Sequence, residues 1–154
     1  VRDVQTEVHV SVEPLVKLIR NADEVDATSE DDRLVVRGGL TWQMCGDQRC
    51  EVVQEGRTLL IRSGTAGGRE WVLARALAED SGIEIAYWQD ANGNGRLDGP
   101  DGGFVPSGQV TSFDDVRGVR VKLSFDAREG RGKFSGDVSF HAVLRTKVLE
   151  RFTL

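Results

Sequence analysis

The apolar residues of this chain change their spacing once, and that change limits the folds open to it. Val8, Val12, Leu15, Val16, Ile19 and Ala22 recur at helical spacing, and Val1 and Val4 extend the series backwards. Arg2, Asp3, Glu7, Glu13, Lys17, Arg20 and Asn21 fall mostly off that stripe. One amphipathic helix is predicted. Pro14 either kinks it or opens it, in the second case with Ser11 as the cap. Residues 23–32 are acidic and polar and read as a connection. Beyond them the period is two.

Residues 34–37 read as a strand, and Leu40, Trp42 and Met44 alternate with Thr41 and Gln43 as a second extended run. Val52 and Val53, residues 59–61, and Trp71 with Leu73 continue the series, separated by turns. Residues 74–79 are Ala-rich and read as the end of a strand or as a helical turn. In residues 83–88, Ile83, Ile85 and Tyr87 share one face and Glu84, Ala86 and Trp88 the other. Residues 104–115 show little periodicity and read as a long loop. Val119, Val121, Leu123 and Phe125 alternate strictly with Arg120, Lys122, Ser124 and Asp126. Phe134, Val138, Phe140, Ala142 and Leu144 line one face of the last strand, which forms a hairpin with the one before it. The helix has to bury its stripe, and a sheet face is the only apolar partner. The expected fold is therefore α+β, an N-terminal amphipathic helix packed on an antiparallel β-sheet. Residues 1–154 form one domain, helical over 1–25 and mainly β over 33–154, a length that suits a single core.

A net charge of -5 argues against broad binding to a phosphate backbone. No apolar run approaches the ~20 residues of a membrane span. The chain starts at Val1 and not Met, so a preceding piece is expected to have been removed. Cys45 and Cys50 are too far apart for a C-x-x-C redox pair, and no second pair completes a zinc site. They are expected to form a disulfide pinning a turn, worth about 2 kcal/mol for so short a loop. The alternative is two free thiols in a cytosolic protein.

The densest group of oxygen ligands follows the strand at 83–88. Asp90, Asn92, Asn94, Gly95, Asp98 and Asp101 fall at positions 1, 3, 5, 6, 9 and 12 of a calcium-loop spacing, with the carbonyl of Arg96 at position 7. A hard cation needs several oxygens from a tightly wound segment, and this run supplies them. Position 12 is Asp and not Glu, and no amphipathic helix flanks the loop, so an EF-hand is not expected. The competing reading is a surface turn, since Asn92-Gly93 and Asn94-Gly95 are strong turn dipeptides without a metal.

No nucleophile elbow, P-loop, zinc-protease or dinucleotide motif is present, and the two His lie at opposite ends of the chain. The chain is not expected to be an enzyme or to take a small-molecule substrate. Arg117, Arg120, Arg128, Arg131 and Lys133 cluster along the last hairpin. They read either as a solvated face or as a contact for a partner or DNA.

Four stretches resemble the type IV pilin-like proteins, and more narrowly the PilW-like minor pilins and the J-type minor pseudopilins of type II secretion. Residues 14–25 (P-L-V-K-L-I-R-N-A-D-E-V) look like the exposed half of the pilin helix. Residues 74–90 (A-R-A-L-A-E-D-S-G-I-E-I-A-Y-W-Q-D) resemble the family's strand ending in aromatic-x-Asp. Residues 116–125 (V-R-G-V-R-V-K-L-S-F) and 140–148 (F-H-A-V-L-R-T-K-V) are similar to its last two strands, with Thr146 where the family has Asn. The family's apolar N-terminal segment is not part of this sequence. The resemblance implies a minor pilin of a type IV pilus that acts in assembly, adhesion or DNA uptake. Its partners would be other minor and major pilins. Its precursor would be extracytoplasmic and anchored in the inner membrane. A minor pseudopilin of type II secretion and a calcium-stabilised extracellular binding module are the alternatives.

Overall fold

The inner faces of the β-strands are read directly from burial. In a computed structural model, residues 4–39, 41–64, 68–79, 82–89, 103–129 and 132–144 are described, the side chains of 4–11, 42, 127–129 and 132–135 excepted. Helix α1 (Val4–Arg20) is followed by β1 (Glu24–Val25), β2 (Arg33–Arg37), a short helix α2 (Thr41–Cys45), β3 (Arg49–Glu55), β4 (Thr58–Ser63) and β5 (Glu70–Ala74). Strands β6 (Ile83–Gln89), β7 (Phe104–Val105), β8 (Val116–Glu129) and β9 (Gly132–Val143) complete the order. They make two antiparallel sheets, β1-β2-β3-β4-β5 and β7-β6-β8-β9.

This corrects the expected α+β fold. The protein is mostly β, 52% strand, with one long helix and two sheets in place of a helix lying on a single sheet. One core cluster joins Leu34 and Val36 of β2, Val52 of β3, and Leu59 and Ile61 of β4 to Ile83, Ile85 and Tyr87 of β6 and to Val119, Val121, Leu123 and Phe125 of β8. Leu15, Leu18, Ile19 and Ala22 at the end of α1 are fully buried in that same cluster. The helix touches β5 of the first sheet and β8 and β9 of the second. Both sheets and the end of the helix therefore contribute side chains to one shared core.

Three local readings also change. Of the two readings of Pro14, the helix start is excluded, since the helix runs through it from Val4 to Arg20. Residues 41–45 are helical, not extended. Thr41, Met44 and Cys45 are buried, an i, i+3, i+4 face, and a five-residue apolar run cannot be told from a strand by period alone. Residues 104–115 hold β7 and two turns of 3-10 helix, Ser107–Gln109 and Phe113–Asp115. The polar connection also contains β1, where Glu24 opposes Arg37 and Val25 opposes Val36.

The two sheets are stitched at two seams. On one, Leu77 bridges to Phe125, the Ala78 N–H donates to the Ser124 carbonyl at 2.8 Å, and the Asp126 N–H donates to Ala76 at 2.8 Å. Residues 76–78 thus run beside Ser124, Phe125 and Asp126 of β8 on leaving β5, not as a helical turn. On the other, the Ile85 N–H donates to the Asp31 carbonyl at 2.7 Å, and the Asp31 carboxylate accepts the Ser107 N–H at 2.7 Å. The expected disulfide is present: Cys45 ends α2, Cys50 lies in β3, and their Cα atoms are 5.9 Å apart. Both cysteines are buried in the core cluster. Among the described residues, no helix is long and apolar enough to cross a membrane.

The C-terminus of α1 is set by its contact with Gly38 and Gly39. Both have positive φ, 75° and 59°, and a Cβ on Gly39 would lie 1.6 Å from the Asn21 carbonyl oxygen. Gly39→Ala should therefore move backbone and not only a side chain. It is expected to cost more than the ~1 kcal/mol of a left-handed Gly-to-Ala change alone, about 3 kcal/mol or more. Urea denaturation of the variant and the parent chain measures this.

Candidate functional site

The two sheets treat the charges on their outer faces differently. On the first sheet, the Glu51 carboxylate receives Arg33 Nε at 2.7 Å and Arg62 Nη2 at 3.0 Å through the same oxygen. Arg62 Nη1 reaches Glu55 at 2.6 Å. Arg37 pairs with Glu24 at 2.8 Å and with Asp26 at 3.3 Å, and Arg49 approaches Asp26 at 3.7 Å. Asp26 also accepts the Thr28 N–H at 2.9 Å and the Thr28 hydroxyl at 2.7 Å. Burial alone would raise the Glu51 carboxyl, but hydrogen bonds and charge from Arg33 and Arg62 outweigh it and hold Glu51 below the ordinary glutamate range. Asp26 is likewise held low: the Thr28 bonds and the charges of Arg49 and Arg37 overcome its burial. The charges that crowd this face satisfy one another, so it is a structural network.

The outer face of the second sheet is assembled by register. Ala86, Arg120 and His141 form one row across β6, β8 and β9, and Glu84, Lys122 and Ser139 form the next. A third row, Trp88, Gly118 and Val143, lies toward β7, where Phe104 opposes Trp88. Gly118 leaves room for the Trp88 ring there, since a Cβ would meet it at a tight 3.1 Å. Ala86, Trp88 and Phe104 make a small cluster of their own, with Val143 packed on it, apart from the main core. The Arg120 guanidinium lies over the Phe104 ring, 5.3 Å from its centroid, and the His141 ring stands 5.9 Å from Phe104. Lys122 makes a long ion pair with Asp137, 3.7 Å. Beside this aromatic end lies a depression of about 210 Å³ lined by Glu84, Ala86, Arg120, Lys122 and Ser139.

The sequence-predicted residues separate accordingly. Asp90, Asn92, Asn94, Arg96, Asp98 and Asp101 lie outside the described residues. The strands on either side of them in sequence, β6 and β7, are paired neighbours. Among the described residues, no group of three or more His, Cys, Asp or Glu is placed to hold a metal. Of the expected basic stripe, Arg120 lies on the outer face. Arg117 sits where β8 bulges against Trp88 and Gln89, out of step with the alternation that presents Arg120. Arg128 and Lys133 are opposed in the hairpin register, and Arg131 lies outside the described residues. Glu84 and Asp137 interrupt the positive charge. Sequence reasoning placed Glu84, Lys122, Ser139 and His141 on polar strand faces but did not group them. Grouping them needs the register of three strands separated by up to some sixty residues.

The Glu51 network generates a pH prediction. Because its folded pKa is depressed, its stabilisation is present above the ordinary value of 4.5 and is lost as pH falls through the folded value. Glu51→Gln should lower stability at neutral pH by about 1–2 kcal/mol, less than the 3–5 kcal/mol of a fully buried pair because both arginines stay about one-third exposed. It should also flatten the fall in stability below pH 4.5, which urea melts across pH 3–7 would read as two converging curves.

The chain matches no family model, no curated protein and no solved structure.

Proposed function

We propose that this chain is the globular part of a minor pilin, a non-enzymatic assembly subunit of a type IV pilus. It would contact other minor and major pilins, and DNA or a surface, on the outer side of the inner membrane. An apolar N-terminal segment of the kind that family carries would anchor the precursor. One observation supports this reading above others: the four stretches that resemble the family, far apart in sequence, meet in one core. Leu15, Leu18, Ile19, Ala22 and Val25 come from the first, and Ala74, Leu77, Ile83, Ile85 and Tyr87 from the second. Val116, Val119, Val121, Leu123 and Phe125 come from the third, and Ala142 and Leu144 from the fourth. The disulfide fits an oxidising compartment.

The same stretches serve a minor pseudopilin of type II secretion equally well. The disulfide and the unconsumed charges on the second sheet favour, as a further reading, a calcium-stabilised extracellular binding module. Deletion of the encoding gene in its host separates the three. Loss of surface pili with secretion intact is the expected result. Loss of type II secretion with pili intact would replace the pilus by the secretion system, and an unchanged count of both would leave only the binding module.

In this reading Asp90, Asn92, Asn94, Asp98 and Asp101, with the Arg96 carbonyl, hold one structural calcium ion. Three carboxylates in one short loop repel one another, and a divalent cation offsets that repulsion. The short Asp101 arm in place of Glu suits weak binding, on the order of 10⁻⁴–10⁻³ M. Thermal melts should show a higher midpoint with millimolar calcium than with chelator, and Asp98→Ala should abolish the difference. Identical midpoints for the parent chain would reduce the loop to an Asn-Gly turn.

A further inference from the structure

We infer that the depression on the outer face of the second sheet binds an acidic sugar, a carboxylated pyranose at the end of or within a polysaccharide. The first sheet's outer face pairs its charges internally. The second sheet's does so only in the long Lys122–Asp137 pair: among the described residues no carboxylate lies within ion-pair distance of Arg120, and no cation within that distance of Glu84. Both line the same depression, with the exposed Lys122 and Ser139. Ala86 contributes apolar surface to it and belongs to the small buried cluster with Trp88 and Phe104. Unpaired charges of both signs around one concavity are a recognition pattern, because each loses a potential internal partner that the other sheet supplies.

Size and charge together select the ligand. About 210 Å³ is below the ~300–1,000 Å³ of pockets for drug-sized molecules, so the depression takes one side chain or one sugar ring. A carboxylate fits the Arg120 guanidinium, whose planar fork can donate two hydrogen bonds to it and which lies over the Phe104 ring. Lys122, only loosely held by Asp137, adds a second positive charge one row away. Glu84 then discriminates among anions. An acidic peptide side chain or a nucleic-acid phosphate brings no donor for it and is repelled. A sugar acid carries hydroxyl groups beside its carboxylate that donate to Glu84 and exchange hydrogen bonds with Ser139. Glu84 and Ser139 flank Lys122 in the same cross-strand row, within the reach of one ring. The inference does not rest on the filament reading.

Calorimetric titration of the full chain with trigalacturonate, maltotriose, a pentaglutamate peptide and a short oligothymidylate, at near-physiological ionic strength, tests this. Trigalacturonate is expected to bind and the other three to bind much more weakly. Arg120→Gln should weaken trigalacturonate by about tenfold or more, the loss expected for a hydrogen bond to a charged group. Glu84→Gln should also weaken it, and that sign is the discriminating result. If Glu84→Gln strengthens binding, or if pentaglutamate or oligothymidylate binds as tightly as trigalacturonate, the face is a general anion attractor and the inference fails. Ser139→Ala, an exposed single-atom change, covers the case of an Arg120→Gln chain that does not fold: unchanged trigalacturonate binding in the Ser139 variant would overturn the sugar contact. The outcome is independent of pilus assembly, since the titration uses the isolated chain and the gene deletion counts pili.

Discussion

Tyr87 ties the two sheets to one another. Its ring is fully buried in the shared core and meets the edge of Phe113 with centroids 5.4 Å apart. Its hydroxyl donates to the Glu30 carbonyl at 2.6 Å. A buried hydroxyl without that acceptor would cost about 1–3 kcal/mol, so the position of residues 29–32 is coupled to the position of β6. Burial pushes the phenol's ionisation well up, and the residue stays neutral and a donor across the working pH range. From this point the other constraints follow. Asp31 closes β6 beyond β7 and holds the turn at Ser107, and β6 then carries two buried faces. Ile83, Ile85 and Tyr87 face the main core, and Ala86 and Trp88 face the aromatic cluster outside it.

The faces of the strands were legible in the sequence, but their division between sheets was not. Strict alternation in β8 marked Val119, Val121, Leu123 and Phe125 as the buried set, and all four lie in the core. Alternation says which side of a sheet a residue occupies. It does not say whether two strands share a sheet, and a single sheet under a helix satisfies the same pattern as two sheets facing each other. The decisive contacts, such as Leu77 with Phe125, join residues nearly fifty positions apart and leave no periodic trace. Short elements escaped for a related reason. Around α2, the sequence alternation of Leu40, Trp42 and Met44 mimics a strand, while the informative triplet Thr41, Met44 and Cys45 of the helix includes a threonine that hydropathy does not count.

The candidate site was half legible. Arg120 was singled out for its charge, within a basic stripe that the fold breaks up with Glu84 and Asp137. What distinguishes Arg120 from Arg33 or Arg62 is not its type but the lack of a carboxylate partner among the described residues, a property of three-dimensional neighbours. Arg33 and Arg62 share one oxygen of Glu51 and are lost to recognition, although in sequence they look equally available. A surface charge carries information about function only after its internal partners have been subtracted.

The contact between Gly39 and the end of α1 also has a mechanical meaning. The helix spans roughly 26 Å at 1.5 Å per residue over its 17 residues. It ends on a backbone-to-backbone contact, and three residues later the chain enters β1, which is only two residues long. At that junction Asn21 meets Gly39 backbone to backbone, with no side chain to yield. Beyond it the chain is held by the buried side chains of the last turns and by the brief β1–β2 pairing, with the Asp23 N–H donating to the Arg37 carbonyl at 2.9 Å. The helix is thus joined to the first sheet through one rigid backbone junction, and a change in its direction has to be passed on to β1 and β2.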